Sequence, residues 1–436
     1  MQIDWNNLLK NWLIPKPAKP SVGPALEPGI YHFQREREGQ YVRFHLRVDP
    51  GGRAILIAAA AEAVRLSPAG AVAAKGLLSG KSCDQVADEL SNTNAFDLVQ
   101  KVKQAIDDIG QPNFRYPIFN LTDQSVDGPS LPLLAPFQAD NVPGDKESQF
   151  QILDQLWKAG VPHARLVCEN EVDVNLLAAV IQHAEDIGMI TGLRARASAL
   201  MTGELIKKLA QVGLDYVVIP WAIREPAHTQ IYGPNDFDHV AQAIQAARAR
   251  EMTAVVEAPL VQENVDCLDD ELEQLIAWGV TNVEVFAVAR REDAPSESSE
   301  DDLHAIPGNE LRQLAAWIDD LSGEHPLDIA WLPPVDCPSS QSVSSTASRV
   351  SRASGEVSIR VEADGTVVPP RGPFRAAGNI LNQSWSQIWN HEVLGRFRGE
   401  KDMNIGCGKC PGLAVCSSYC PADPEGWVSG SRYSEY

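Results

Sequence analysis

The sequence is short of basic side chains: 436 residues carry 37 Lys and Arg against 58 Asp and Glu, a formal charge of -21. No stripe of Lys or Arg could follow a phosphate backbone, which excludes nucleic acid and anionic membranes as principal partners. Long apolar runs are missing too. The longest, AILIAAAAEAV at 54–64, is broken by Glu62 and falls short of the ~20 residues that a transmembrane helix takes. The opening MQIDWNNLLKNWLIP has no basic lead, no continuous apolar core and no small-residue cleavage site. It is not a secretory signal, so the reducing cytoplasm is the expected location. HExxH, a phosphate loop, a dinucleotide glycine motif and GxSxG are all absent. Cysteine is scarce, eight in all, with none between Cys83 and Cys168.

Half of those cysteines crowd into CGKCPGLAVCSSYCP at 407–421, where Cys407, Cys410, Cys416 and Cys420 are spaced C-x2-C-x5-C-x3-C. In a reducing compartment thiols this dense are metal ligands or redox groups rather than disulfides. Two centres suit the set: a 4Fe–4S cluster, or a tetrahedral zinc for which CGKCPG has the form of a knuckle turn. Cys83, Cys267 and Cys337 stand alone and read as packed or surface thiols.

Four segments follow from pattern and punctuation. At 1–27, Trp5, Leu8, Leu9, Trp12 and Leu13 recur at helical spacing ahead of Pro15, Pro17, Pro20 and Pro24, giving an amphipathic helix on a stiff tether. It packs on its own chain or docks onto a partner. At 28–110, YVRFHLRVD alternates as a strand, DPGG makes a hairpin turn, RAILIAAA returns, and three helices follow. At 128–340 the apolar runs LPLLAP, HARLVC, ITGLRAR, DYVVIP, TAVVEAP and NVEVFAVA alternate with helical periods. Six βα units predict an α/β fold, a partial (β/α)6 TIM-like barrel with ligands at the carboxyl ends of its strands. PSESSEDD at 295–302 and the Ser-rich stretch at 339–355 read as a solvated loop and an interdomain linker, and 345–436 is the cysteine-rich end. Glu169 and Glu171 fall at a predicted strand end, with solvation their plainer reading.

Two resemblances sharpen this outline. Val64-Arg65-Leu66-Ser67, the run KGLLSGKSCDQVADEL at 75–90 and the following helix resemble the PqqD-like winged-helix peptide chaperones, in which a leader peptide adds as an extra strand. The stretch AHTQIYGPNDFDHVAQAIQAARAREM at 227–252 looks like the middle of a radical S-adenosylmethionine barrel. Gly355, Ile359, Ala363-Asp364-Gly365, Val368-Pro369, Gly378-Asn379-Ile380, Trp385, Ile388-Trp389 and the final cysteines are similar to the SPASM extension of those enzymes.

The resemblance also marks departures. Active members hold a 4Fe–4S cluster on a C-x3-C-x2-C loop after the first strand, whereas LPLLAPFQADNVPGDK at 131–146 has no cysteine. Their Gly-Gly-Glu-Pro turn aligns with Cys168, Glu169, Asn170 and Glu171. Arg352 and Pro370 stand near positions where the extension usually has early cysteines, and no cysteine follows Cys420. The resemblance then implies one centre on Cys407, Cys410, Cys416 and Cys420, a 4Fe–4S cluster or alternatively zinc, and no S-adenosylmethionine. The expectation is a non-catalytic accessory protein without radical activity, binding a peptide or protein substrate beside an active partner enzyme. Two other readings stay open: an iron–sulfur redox or maturation enzyme using the C-terminal cluster for electron transfer, and a purely structural subunit.

Overall fold

The structure, a computed structural model, describes residues 26–37, 39–59, 62–90, 94–110, 120–126, 134–168, 173–290, 303–332, 334–337, 341–348, 358–369 and 375–395. The expected N-terminal helix, the acidic loop at 295–302, Glu169 and Glu171, and all four C-terminal cysteines lie outside the described residues.

A five-stranded sheet runs β1 (Gly29–Arg37), β2 (Gln40–Val48), β3 (Ala54–Ala58), β4 (Glu62–Leu66) and β5 (Asn120–Ser125) in that order. The first four form an antiparallel meander, and β5 lies parallel to β4. Asp49 sets the turn after β2 by accepting from the backbone N–H of Gly51 and Arg53, with Gly52 in the left-handed region. Within the long apolar run at 54–64, β3 pairs antiparallel with β4, and Ala59 at the end of β3 has φ 48. Helices Pro68–Leu78, Cys83–Leu90 and Ala95–Ile109 cover one face of the sheet. Val42, Phe44, Leu46 and Val48 meet Val86, Val99, Val102 and Ile106 there in a core of their own.

The second sheet carries β6 (Gln138–Asn141), β7 (His163–Val167), β8 (Ile190–Arg194), β9 (Tyr216–Pro220), β10 (Thr253–Leu260) and β11 (Asn282–Arg290) as parallel neighbours in chain order. Helices return between them, so the sheet is wound one way, as right-handed crossovers require. β12 (Ile306–Pro307), β13 (Asp328–Trp331) and β14 (Val335–Asp336) all pair with β11. At the other end β15 (Ser358–Val361) joins β6 in parallel and continues into antiparallel β16 (Thr366–Val368) and β17 (Gly378–Asn379). The result is an α/β partial barrel with a mixed sheet and a C-terminal extension. That extension shares the barrel's core through Ile359, Val361, Val367, Ile388 and Trp389. Trp385 donates its indole N–H to the Leu134 carbonyl at 2.9 Å.

Two expectations are corrected. The first strand is the polar Gln138–Asn141 and not LPLLAP, whose described residues Leu134–Pro136 precede it. All four residues of that strand are buried, so its polarity serves an enclosed face rather than solvent. The Ser-rich linker contains the helix Val343–Ser348, which buries Val343, Thr346 and Ala347 at helical spacing.

The two sheets meet through β2. Its residues alternate, so that Val42, Phe44 and Leu46 enter the first core while Arg43, His45 and Arg47 turn to the base of the barrel. Arg43 forks onto Glu185 at 2.7 and 2.8 Å and reaches the Met189 carbonyl. His45 donates from Nε2 to the Gly188 carbonyl at 2.8 Å, and Arg47 donates to the carbonyls of Pro136 and Gly160. Gly160 and Gly188 are left-handed C-caps of the helices Lys146–Ala159 and Val174–Ile187. Donors and cations therefore land where the helix dipoles are negative.

Candidate functional site

Along β7 to β11 one set of side chains enters the core beneath the helices, for example Ala164, Leu166, Leu193, Val217, Val256 and Val283. The alternate set enters the enclosed face and includes the buried charges of Arg165, Arg194, Glu257 and Glu284. Arg165 on β7 binds Asp140 on β6 in a fork at 2.8 and 2.9 Å and approaches Glu284 on β11 at 3.4 Å. β7 and β11 are not neighbours in the sheet, so this contact crosses the lumen. Arg194 at the end of β8 pairs with Glu257 on β10, its Nη2 2.6 Å from Oε1, with both side chains almost wholly buried. Glu257 raises the affinity of the Arg194 guanidinium for its proton although burial opposes this.

Deeper in the lumen His163 Nε2 and Tyr216 Oη lie 2.7 Å apart. Burial, reinforced by Arg165, brings His163 down to about 3, so its ring is neutral. Gly192 is the residue that lets Tyr216 sit there: a Cβ at that position would stand 2.0 Å from the ring. Gln138 Oε1, His163 Nδ1, Asn282 Nδ2 and Ser358 Oγ are buried with no hydrogen-bond partner among the described residues. Ser358, Gln138 and His163 face one another across three adjacent strands. The lumen is thus built for polar contents.

The mouth, at the carboxyl ends of the strands, is held by polar ties. His228 Nδ1 accepts from the Ala222 N–H at 3.2 Å, which leaves Nε2 to donate to Asp236 at 3.1 Å. Asp236 also accepts the Ser198 N–H at 2.8 Å and its hydroxyl. Hydrogen bonds from Ser198 and His228 hold the Asp236 carboxyl below its usual range, although burial opposes them. His228 thus fixes the loop after β9 to the neighbouring helix. Asn264 does the same for the loop after β10, donating to the carbonyls of Ala222 and Pro259. The helix Val343–Ser348 closes the mouth, with Val343 and Ala347 against Phe286, Val288, Ala222 and Tyr232.

A cluster held on barrel cysteines does not fit these residues. After β6 the chain reads Val142-Pro143-Gly144-Asp145, with no thiol. Cys168, just beyond β7, is buried and its thiol is pushed up to about 12, far from a thiolate. No group of three or more His, Cys, Asp or Glu that could hold a metal occurs among the described residues. Cys83 and Cys267 are half-buried and Cys337 is buried, and none of them is in a disulfide among the described residues. Sequence reasoning missed Arg165, Arg194, Glu257 and Glu284. Their signal was there: a charge at alternate positions of otherwise apolar parallel strands.

The SPASM family, described as an iron-sulfur cluster-binding domain, matches residues 354–411. Among curated proteins no sequence match is found. The crystal structure of Streptococcus suis SuiB bound to S-adenosylmethionine is similar with TM-score 0.51 at 12% identity, covering 84% of this chain and 91% of that one. A second crystal structure of SuiB gives 0.50 at 11%, covering 91% and 95%. SuiB bound to its precursor peptide SuiA gives 0.49 at 13%, covering 84% and 91%. The fold is therefore radical S-adenosylmethionine/SPASM-like.

These findings correct the expectation of a non-catalytic accessory protein without radical activity and without S-adenosylmethionine. A chain that binds S-adenosylmethionine shares this fold over most of its length. The missing cysteines speak only to one ligand set in one loop, whereas the fold is shared over most of the chain. No helix among the described residues is long and apolar enough to cross a membrane.

Proposed function

We propose that this chain is an iron–sulfur redox or maturation enzyme acting on a peptide, with a 4Fe–4S centre on Cys407, Cys410, Cys416 and Cys420 in a reducing cytoplasm. The observation that carries the reading is the iron-sulfur cluster-binding match at 354–411, which takes in Cys407 and Cys410. Four thiols at this spacing are a donor set suited to such a cluster, which supplies single electrons when bound. S-adenosylmethionine belongs to the same proposal as a ligand of the mouth, where Arg194 and Glu257 hold each other as a buried ion pair. The loop after β6 offers no thiolate to a barrel cluster.

The division into 1–27, 28–110, 128–340 and 345–436 is part of this reading, with 28–110 as a PqqD-like winged-helix unit that captures the peptide. Two features support capture. The first sheet already takes β5 as a strand from outside its meander, and β1 pairs only with β2 among the described residues. An open edge and an accepted extra strand are the physical basis of strand addition.

Anaerobic purification with iron, sulfide and zinc analysis tests the proposal. About four iron and four sulfide per chain are expected, lost when any one of the four cysteines is changed to Ser. Zinc alone would make the tail a structural fastener, and neither metal would leave the redox reading without its centre.

A further inference from the structure

We propose that the helix Val343–Ser348 is a displaceable plug in the mouth of the barrel, which withdraws to admit a ligand bearing an anionic group such as a carboxylate. The ligand half of this inference rests on the reading of the mouth as a binding site; the plug itself does not.

Its position is the first argument. On β11, Val283, Val285 and Ala287 enter the core under the helices, so Phe286 and Val288 face the enclosed side. Val343 and Ala347 pack against those two residues and against Ala222, Ile231 and Tyr232 beyond β9. The helix thus sits within the mouth, where barrels of this kind bind their ligands, and not on the outer surface.

What the helix does there is the second argument. The carbonyl of Ser348 stands 3.5 Å from Arg194 Nη2. Arg194 is a buried cation at a strand's carboxyl end, paired with Glu257 through Nε and Nη2, and the carbonyl takes the further place at Nη2 where an anionic group would make a charge-assisted bond instead. A ligand with an anionic head has an energetic reason to replace it.

The helix is also short and buries only small side chains. It has six residues, VSSTAS, well below the length at which a helix persists without packing. Its only buried residues are Val343, Thr346 and Ala347, and none is large. The hydrogen bonds of its hydroxyls are local: Thr346 to the Ser342 carbonyl, and Ser348 to that of Ser345. Thr346 also donates to the Cys337 thiol at 3.6 Å. The barrel helices by contrast bury rows of Leu and Ile, as Lys146–Ala159 does with Ile152, Leu153 and Leu156.

Cys337 lies beneath the plug and reports on it, being 1% exposed. In the whole protein, anaerobically prepared, Cys337 is labelled with N-ethylmaleimide and read by peptide mass spectrometry, beside hydrogen exchange of residues 343–348, at rising urea below the unfolding transition. The expected result is modification of Cys337 and exchange of 343–348 through an opening indifferent to urea, at least about tenfold faster than exchange in β9 to β11. Val343→Asp should speed the labelling about tenfold again and leave the barrel's urea midpoint unchanged. Thr346→Cys, oxidised onto Cys337, should remove the fast exchange, and reduction should restore it. With S-adenosylmethionine as the probe, binding should raise Cys337 labelling further, because the ligand holds the plug out. If Cys337 reacts only with the urea dependence of the whole barrel, or Val343→Asp melts barrel and helix together, the plug is a fixed part of the fold and the inference is overturned. If the opening is seen but the probe binds to neither form, the plug stands and the ligand reading of the mouth falls.

Discussion

Replacing Arg194 by Met tests whether the mouth of the barrel is organised by a charge pair. The guanidinium makes three contacts with Glu257, from Nε to both carboxylate oxygens at 3.2 Å and from Nη2 at 2.6 Å, with both side chains at most 2% exposed. Truncating one partner of a buried pair costs about 3–5 kcal/mol, because the remaining charge keeps its desolvation and loses its attraction. The double variant Arg194→Met with Glu257→Leu removes both, and a well-packed apolar replacement is commonly neutral or better. The single variant should therefore lose about 3–5 kcal/mol, and the double should recover most of that. The pH dependence has a sign. Without its cation the buried carboxyl of Glu257 holds its proton more tightly than in the unfolded chain. Its folded pKa is then raised, so the variant is relatively more stable at low pH and loses stability as pH rises through that pKa. Urea denaturation followed by tryptophan fluorescence at pH 5 and pH 8 should show a deficit against wild type that is larger at pH 8. A loss below about 1 kcal/mol, or an equal deficit at the two pH values, would refute the reasoning.

Gly192→Ala should destabilise the barrel by about 1–3 kcal/mol in thermal or urea unfolding, since the new methyl meets the Tyr216 ring; pairing it with Tyr216→Leu should recover part of the loss. His45 is brought down to about 4 by burial, below its ordinary 6.5, so the stability it confers is present above pH 6.5 and lost as pH falls through 4. His45→Gln should flatten the fall in stability between pH 7 and pH 4.5, an effect on the order of 3 kcal/mol at most, read from urea midpoints across that range. Arg47→Met leaves the carbonyls of Pro136 and Gly160 without that donor and should cost about 2–4 kcal/mol, with faster hydrogen exchange in β2 while exchange in β9 and β10 is spared.

What could be read beforehand divides along the lines of solvent and partner. HARLVC, ITGLRAR, DYVVIP, TAVVEAP and NVEVFAVA each coincide with a strand, because a parallel strand covered on its outer face by helices must carry an apolar row whatever its inner row does. β6 escaped for the opposite reason. Gln138, Asp140 and Asn141 are buried, yet they read as a loop, since polarity in a sequence does not say whether its hydrogen-bond partners are water or Arg165. The same ambiguity hid Arg43, His45 and Arg47. Their alternation announced a strand with a wet face, and the helix ends that occupy that face come from more than a hundred residues later.

The helix Val343–Ser348 shows where local reasoning misleads most. Serines surround Val343, Thr346 and Ala347 and give the stretch the composition of a linker, but three small residues at helical spacing suffice when the cavity that receives them is already shaped by Phe286 and Val288. Its fold is a property of the mouth more than of the segment, which is why it should leave that mouth at small cost. The same logic bears on the missing barrel cysteines. A motif names one way of occupying a site, whereas the enclosed charges of Arg165, Asp140, Arg194, Glu257 and Glu284 persist only if the fold around them satisfies each one. A barrel with Leu and Val in that lumen would gain in stability, so holding five charges there carries a cost in folding that the ion pairs only partly offset.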